Sequence, residues 1–244
     1  MNNIPLEERI IFALDVATAE EALQWVKRLE SHVHFYKVGL QLFLNACWPV
    51  IDSIVERGHK VMLDLKFFDI PETVQKAIAQ LTNKKVTFTT VHGNEPIIEA
   101  AVAKKEGLKV LAVTVLTSFD ESDLHAMGLK GTVQDLVLHR AQKAIELGCD
   151  GVVASPQEAR ALRKKLGDHF LIVTPGIRPG TEHDIKADDQ RRIATPKEAI
   201  RGGADHLVIG RPIRTADDPI KVVEDIQREI QEGLAAKNKT ASGE

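Results

Sequence analysis

The 244-residue chain has almost no thiol chemistry, its only cysteines being Cys47 and Cys149. That number and spacing fit neither a disulfide framework nor a C-x-x-C metal site, so a reducing compartment is expected, with both cysteines in the core. Neither sign of charge dominates: 32 basic against 35 acidic residues leave a net charge of −3, spread over both halves, which argues against a nucleic-acid partner. No apolar run approaches membrane-spanning length, and the opening M-N-N-I-P-L-E-E-R lacks a basic stretch followed by an apolar one. A soluble, cytoplasmic protein with no membrane partner is expected. Also missing are H-E-x-x-H, G-x-S-x-G, G-x-x-x-x-G-K-[ST] and G-x-G-x-x-G, which makes a serine hydrolase, a P-loop hydrolase or a dinucleotide oxidoreductase a poor guess. His32, His34 and His92 lack metal-ligand spacing; no metal is expected, and His92 is read as structural or supporting.

What the chain does have is a hydrophobic content of 43%, ample for a core. Short β-rich runs begin at Ile10, His34, Lys60, Val86, Lys109, Gly151, Phe170 and His206, and stretches of helical period such as A-E-E-A-L-Q-W-V-K-R-L-E separate them. Strand-helix alternation implies parallel pairing, and near-continuous apolar strands imply cover on both faces. That number of runs is what a (β/α)8 barrel needs. A single α/β domain, a (β/α)8 TIM barrel over residues 1–234, is predicted, with 235–244 as a frayed tail; a doubly wound open sheet is the structural alternative.

The polar residues fall where such a barrel keeps its chemistry, at strand ends and in the loops beyond them. Val61 to Val74 reads V-M-L-D-L-K-F-F-D-I-P-E-T-V. On a regular strand Asp64 and Lys66 share a face. With Asp69, and with Asp15 and Lys37 on neighbouring strands, they form an array of alternating charge that holds a lysine protonated, ready to act as a general acid. The competing reading is a structural ion-pair network, with Asp69 capping the helix that starts at Pro71. After the eighth run, Gly210 and Arg211 of G-R-P match a phosphate grip, and Arg178 of P-G-I-R-P supplies another cation; surface ion pairs and ordinary turns are the alternatives.

Together these residues resemble the orotidine 5′-phosphate decarboxylase family over nearly the whole chain, from F-A-L-D-V to V-I-G-R-P. The D-x-K-x-x-D pattern is carried by Asp64, Lys66 and Asp69. A-V-T-V-L-T-S from Ala112, V-T-P-G-I-R-P from Val173 and D-Q-R-R from Asp189 strengthen the likeness. Glu72, where many bacterial members have Asn, departs from the pattern between contact residues. The resemblance implies decarboxylation of orotidine 5′-monophosphate to uridine 5′-monophosphate without a cofactor, as a step of pyrimidine biosynthesis. Lys66 would be the proton donor and Asp64 the neighbour of the departing carboxylate. Lys37 and Asp15 would hold the ribose, and Thr117 the pyrimidine. Gln190, Arg211 and the Gly210 backbone would take the phosphate, with Arg178 a substrate contact on the adjacent loop, under a lid from Arg178 to Arg192. A homodimer is implied in which Asp69, Ile70 and Thr73 reach the partner's site. A metal-dependent sugar-phosphate decarboxylase or aldolase of a related barrel family, or a catalytically silent phosphate-binding barrel, is the alternative.

Overall fold

A computed structural model of the chain describes residues 4–180 and 192–241. Each expected run contains a strand: β1 (Ile10–Ala13), β2 (Phe35–Gly39), β3 (Lys60–Phe67), β4 (Phe88–His92), β5 (Lys109–Val113), β6 (Gly151–Val153), β7 (Leu171–Thr174) and β8 (His206–Ile209). All pair in parallel in sequence order, and β8 returns to β1 with Ile10 opposite Leu207. That last pairing closes the barrel and rules out the open sheet.

Two apolar layers explain why the strands read as unbroken hydrophobic runs. Successive side chains point to opposite faces. Ile11, Phe35, Met62, Phe88, Leu111, Leu171 and Val173 pack together inside the barrel. Their neighbours Ile10, Phe12, Tyr36, Val38, Val110 and Ile172 join a second, larger cluster with the outer helices. Both faces are apolar, so the period of two is hidden.

The helices carry conventional start signals. In α2 (Ala19–Leu29) the Thr18 hydroxyl accepts from Glu21 N–H at 3.2 Å, and α7 (Val133–Glu146) opens with a reciprocal Thr132–Asp135 capping box. Three expectations change. In α3 (Leu40–Glu56), Pro49 lacks a donor and the backbone breaks at Cys47, where φ is 48°; Cys47 is consequently exposed, not in the core, whereas Cys149 is buried and its thiol is pushed up to about 12 by that burial. In α4 (Pro71–Leu81) the N-cap is Ile70 without a side-chain cap, so Asp69 does not cap it; Asp69 Oδ1 instead accepts from Ile70 N–H at 2.7 Å. Finally, α11 (Pro219–Ala241) extends to Ala241, into the segment expected to fray from Ala235, whose last residues lie outside the described ones. Its alanines and lysines are strong helix formers, extending a helix already anchored by buried Val223, Ile226 and Ile230. Among the described residues, no helix is long and apolar enough to cross a membrane.

Candidate active site

The C-terminal ends of the strands surround a cavity of about 470 Å³. Asp15, Lys37, Asp64, Lys66, Thr117, Arg178, Gly210 and Arg211 line it, drawn from strands and loops distant in the chain. Met62, Val113, Val115 and Val208 supply apolar wall.

Along β1 to β3 the charges alternate in space as they do in sign. Lys37 Nζ donates to Asp15 Oδ1 at 2.9 Å and lies 3.7 Å from Asp64 Oδ2. Lys66 Nζ donates to Asp64 Oδ1, also at 2.9 Å. Burial opposes the charge on Lys37, yet the nearby Asp64 and Asp15 carboxylates outweigh it and hold the ammonium above the ordinary lysine range. Burial likewise opposes the charge on Asp64, and Lys37 and Lys66, helped by hydrogen bonds from Lys66 and Thr90, keep its carboxyl below the usual range. Both stay ionised because each has the other.

Lys66 departs from a flat strand. Its φ is 49°, in the left-handed region, and the β3–β4 register slips between Leu63 and Phe67. A β-branched or long side chain at such a φ costs about 1–3 kcal/mol unless its surroundings hold it. Here Lys66 N–H leaves the ladder and donates to Thr90 Oγ1 at 2.9 Å, while that hydroxyl donates to Asp64 Oδ1 at 2.9 Å. One threonine thus fixes both the strained backbone of the lysine and the carboxylate beside it.

Sequence reasoning missed Thr90, and with it Gly39, Gln41 and Arg214. A Cβ at Gly39 would lie 3.2 Å from Lys37 Nζ, crowding the ammonium. Gln41 and Arg214 line the cavity. A hydroxyl at the interior end of an apolar strand, and a second arginine one turn after G-R-P, were the available signals.

Of the remaining predicted residues, Asp69, Ile70 and Thr73 are not among those that line this cavity. Asp69, Ile70 and Thr73 lie on an exposed segment after β3, where Phe68 and Ile70 are 65% and 66% exposed. Gln190 and most of the expected lid lie outside the described residues. The feet of that loop are tied together: Arg178 N–H donates to Ala194 O at 3.0 Å, and Ala194 N–H to Gly176 O at 3.2 Å. Arg192, at its far end, pairs with buried Glu158 and donates to Leu116 O at 2.7 Å. His92 stacks on Phe68, their ring centroids 4.6 Å apart, and its Nδ1 contacts Asn94 Oδ1 at 2.6 Å. Among the described residues no three His, Cys, Asp or Glu side chains are placed to hold a metal ion.

Comparison with known proteins places this geometry. Residues 8–226 match the family model described as "Orotidine 5'-phosphate decarboxylase / HUMPS family". The chain is 47% identical over 234 residues to orotidine 5'-phosphate decarboxylase of Methylococcus capsulatus, covering 96% of each chain. With the enzyme of that name from Nitrobacter winogradskyi it shares 47% identity over 231 residues, 93% of this chain and 94% of the other. The crystal structure of orotidine 5'-phosphate decarboxylase from Lactobacillus acidophilus superposes with a TM-score of 0.79 at 37% identity, covering 91% of this chain and 99% of that one. On these matches, and on a Lys–Asp array at the mouth of a closed barrel, the chain belongs to the orotidine 5′-phosphate decarboxylase / HUMPS family.

Proposed function

We propose that the chain decarboxylates orotidine 5′-monophosphate to uridine 5′-monophosphate, without metal or organic cofactor, as a step of pyrimidine biosynthesis. The observation that carries this reading is the Asp15–Lys37–Asp64–Lys66 array beside a cavity that also holds Arg178 and Arg211. The bond from C6 to the carboxylate breaks, carbon dioxide leaves, and the electron pair stays at C6 in an sp² orbital outside the ring π system. No electron sink is available in the ring. A fixed ammonium beside C6 stabilises that carbanion, and Lys66 then transfers a proton to it, forming the C6–H bond; the neutral amine recovers its proton from water.

Asp64 lies beside the departing carboxylate and holds Lys66 by the 2.9 Å contact. Lys37 and Asp15 take the ribose hydroxyls, Thr117 the pyrimidine, and Arg178, Gln190, Arg211 and the Gly210 backbone the phosphate. Binding energy from the remote phosphate contributes to the transition state. Asp69, Ile70 and Thr73 reach the site of a second copy in a homodimer; their exposure, with that of Phe68, supports a covered surface.

Ultraviolet absorbance of orotidine 5′-monophosphate mixed with the protein in excess chelator tests substrate and cofactor together. Conversion to uridine 5′-monophosphate is expected. Absence of conversion, with activity on sugar phosphates once magnesium is restored, would assign the site to the metal-dependent branch instead.

A further inference from the structure

Arg214 lines the cavity, yet the reading above leaves it without a role. It ends the short helix α10 (Arg211–Arg214), one turn after Arg211. Side chains three apart on a helix are neighbours on one face, so both guanidiniums belong to the same wall, with Pro175, Arg178 and Gly210. Arg214 is half-buried, and its Nε is fully buried with no hydrogen-bond partner. A desolvated N–H without an acceptor is a standing cost, and turning that edge of the guanidinium into the cavity the side chain already lines, toward an oxyanion, would remove it. Nε–H and one Nη–H form the side edge of the guanidinium, a fork matched to two oxygens of a phosphate. Arg192 makes the contrast: its Nε is also buried and unpartnered, but its Nη groups are engaged by Glu158 and Leu116 O. Among the described residues Arg214 has no such ion pair, and it faces the cavity.

We propose that Arg214 is a second guanidinium for the substrate's phosphate, gripping two non-bridging oxygens side-on through Nε and Nη. The inference rests on the proposed function for the placement of the phosphate near Gly210 and Arg211. Because the phosphate is remote from the scissile bond, Arg214 is a binding residue, and its loss acts through the phosphate alone.

The test compares the wild type with Arg214→Met and Arg214→Lys on orotidine 5′-monophosphate and on orotidine, the nucleoside without phosphate. Arg214→Met is expected to lower kcat/KM on the nucleotide by about 10- to 100-fold, the loss of a charge-assisted contact. Turnover of the nucleoside should stay within about twofold, since Arg214 has nothing there to bind. Arg214→Lys should recover only part of the loss, because an ammonium lacks the fork. Equal losses on nucleotide and nucleoside, or no loss on either, would overturn the proposal. If the wild type fails to turn over the nucleotide, the proposed function falls, and calorimetric titration with ribose 5-phosphate decides Arg214 separately. Weaker binding to Arg214→Met then supports the grip, and unchanged binding rejects it. Matching thermal melts identify variants that fold.

Discussion

The two poles of the barrel bury ionisable groups to similar depth and treat them in opposite ways. At the C-terminal mouth, Lys37 and Asp64 are nearly buried and both are held charged. At the N-terminal pole, the first residues of several strands, Phe35, Phe88, Leu171 and His206, line a cavity of about 300 Å³. His206 is 4% exposed, and burial drives its pKa down to about 4, against weaker support from the Glu8 carbonyl and Asp205. Its Nδ1–H donates to Glu8 O at 2.9 Å, and its ring meets Phe35 and Phe88 edge-on. One cation at that pole sits outward: Lys60 is 43% exposed and pairs with Glu8 at 2.6 Å. Burial alone discharges a group; burial against an opposite charge keeps it ionised. The array at the mouth is charged because its members are arranged to face one another.

The largest expected break in this contrast is at Lys66. Lys66→Ala should lower turnover by about 10⁴-fold or more, removing the proton donor and the ammonium facing the carbanion together. Binding of uridine 5′-monophosphate, followed by calorimetry, should persist, and unchanged turnover would remove the proposed mechanism. Lys37→Met comes next, because it leaves the Asp64 and Asp15 carboxylates without their shared cation. Breaking a buried pair from one side costs about 3–5 kcal/mol, readable as a lowered midpoint of urea unfolding at pH 7. The folded pKa of Lys37 is raised, so its contribution is present below the unfolded lysine value and is lost as pH rises through the folded one. Asp64 mirrors this: its contribution is present above the unfolded carboxylate value and is lost as pH falls through the lowered folded one. A stability difference that stayed flat through the high-pH region would mean that Lys37 is not held as an ammonium.

His206 gives the smallest effect and the sharpest sign. Its folded pKa lies below the unfolded one, so between about pH 6.5 and 4 the unfolded chain binds the extra proton and stability falls with acidification. From pH 7 to pH 5 its share is about 2 kcal/mol, at 1.36 kcal/mol per unit. His206→Asn should flatten that part of the urea-unfolding profile; an unchanged slope would show that the imidazole is already charged in the fold.

The barrel was legible in the sequence because each strand carries apolar residues on both faces, and the mouth was legible because charged residues end those runs. Lys37, Asp64 and Lys66 were found by their charge at strand ends. Thr90 was not, since a neutral hydroxyl in an apolar strand has no sequence cue that distinguishes it from Thr89 beside it. The same limit hid the bulge at Lys66: alternation correctly puts Asp64 and Lys66 on one side, but the left-handed φ depends on Thr90 from the next strand. Cys47 was misplaced because apolar composition around it outweighed the effect of Pro49 on the backbone. Arg214 escaped because an arginine near a helix end is commonly a surface residue, and only the closed fold turns it inward.

The seam between β8 and β1 bears on how the chain is made. Synthesis delivers β1 first and its partner last, nearly the whole length of the chain later. Until β8 emerges, β1 presents one unpaired edge, the condition in which strands find wrong partners. The seam is fastened from both sides once it forms: Arg9 donates to Asp205 O at 3.2 Å, and His206 to Glu8 O. A nascent chain arrested before His206 would carry Asp15, Lys37, Asp64 and Lys66 on an unclosed sheet, without Gly210 and Arg211, so the catalytic pole becomes a single object only with the final strand.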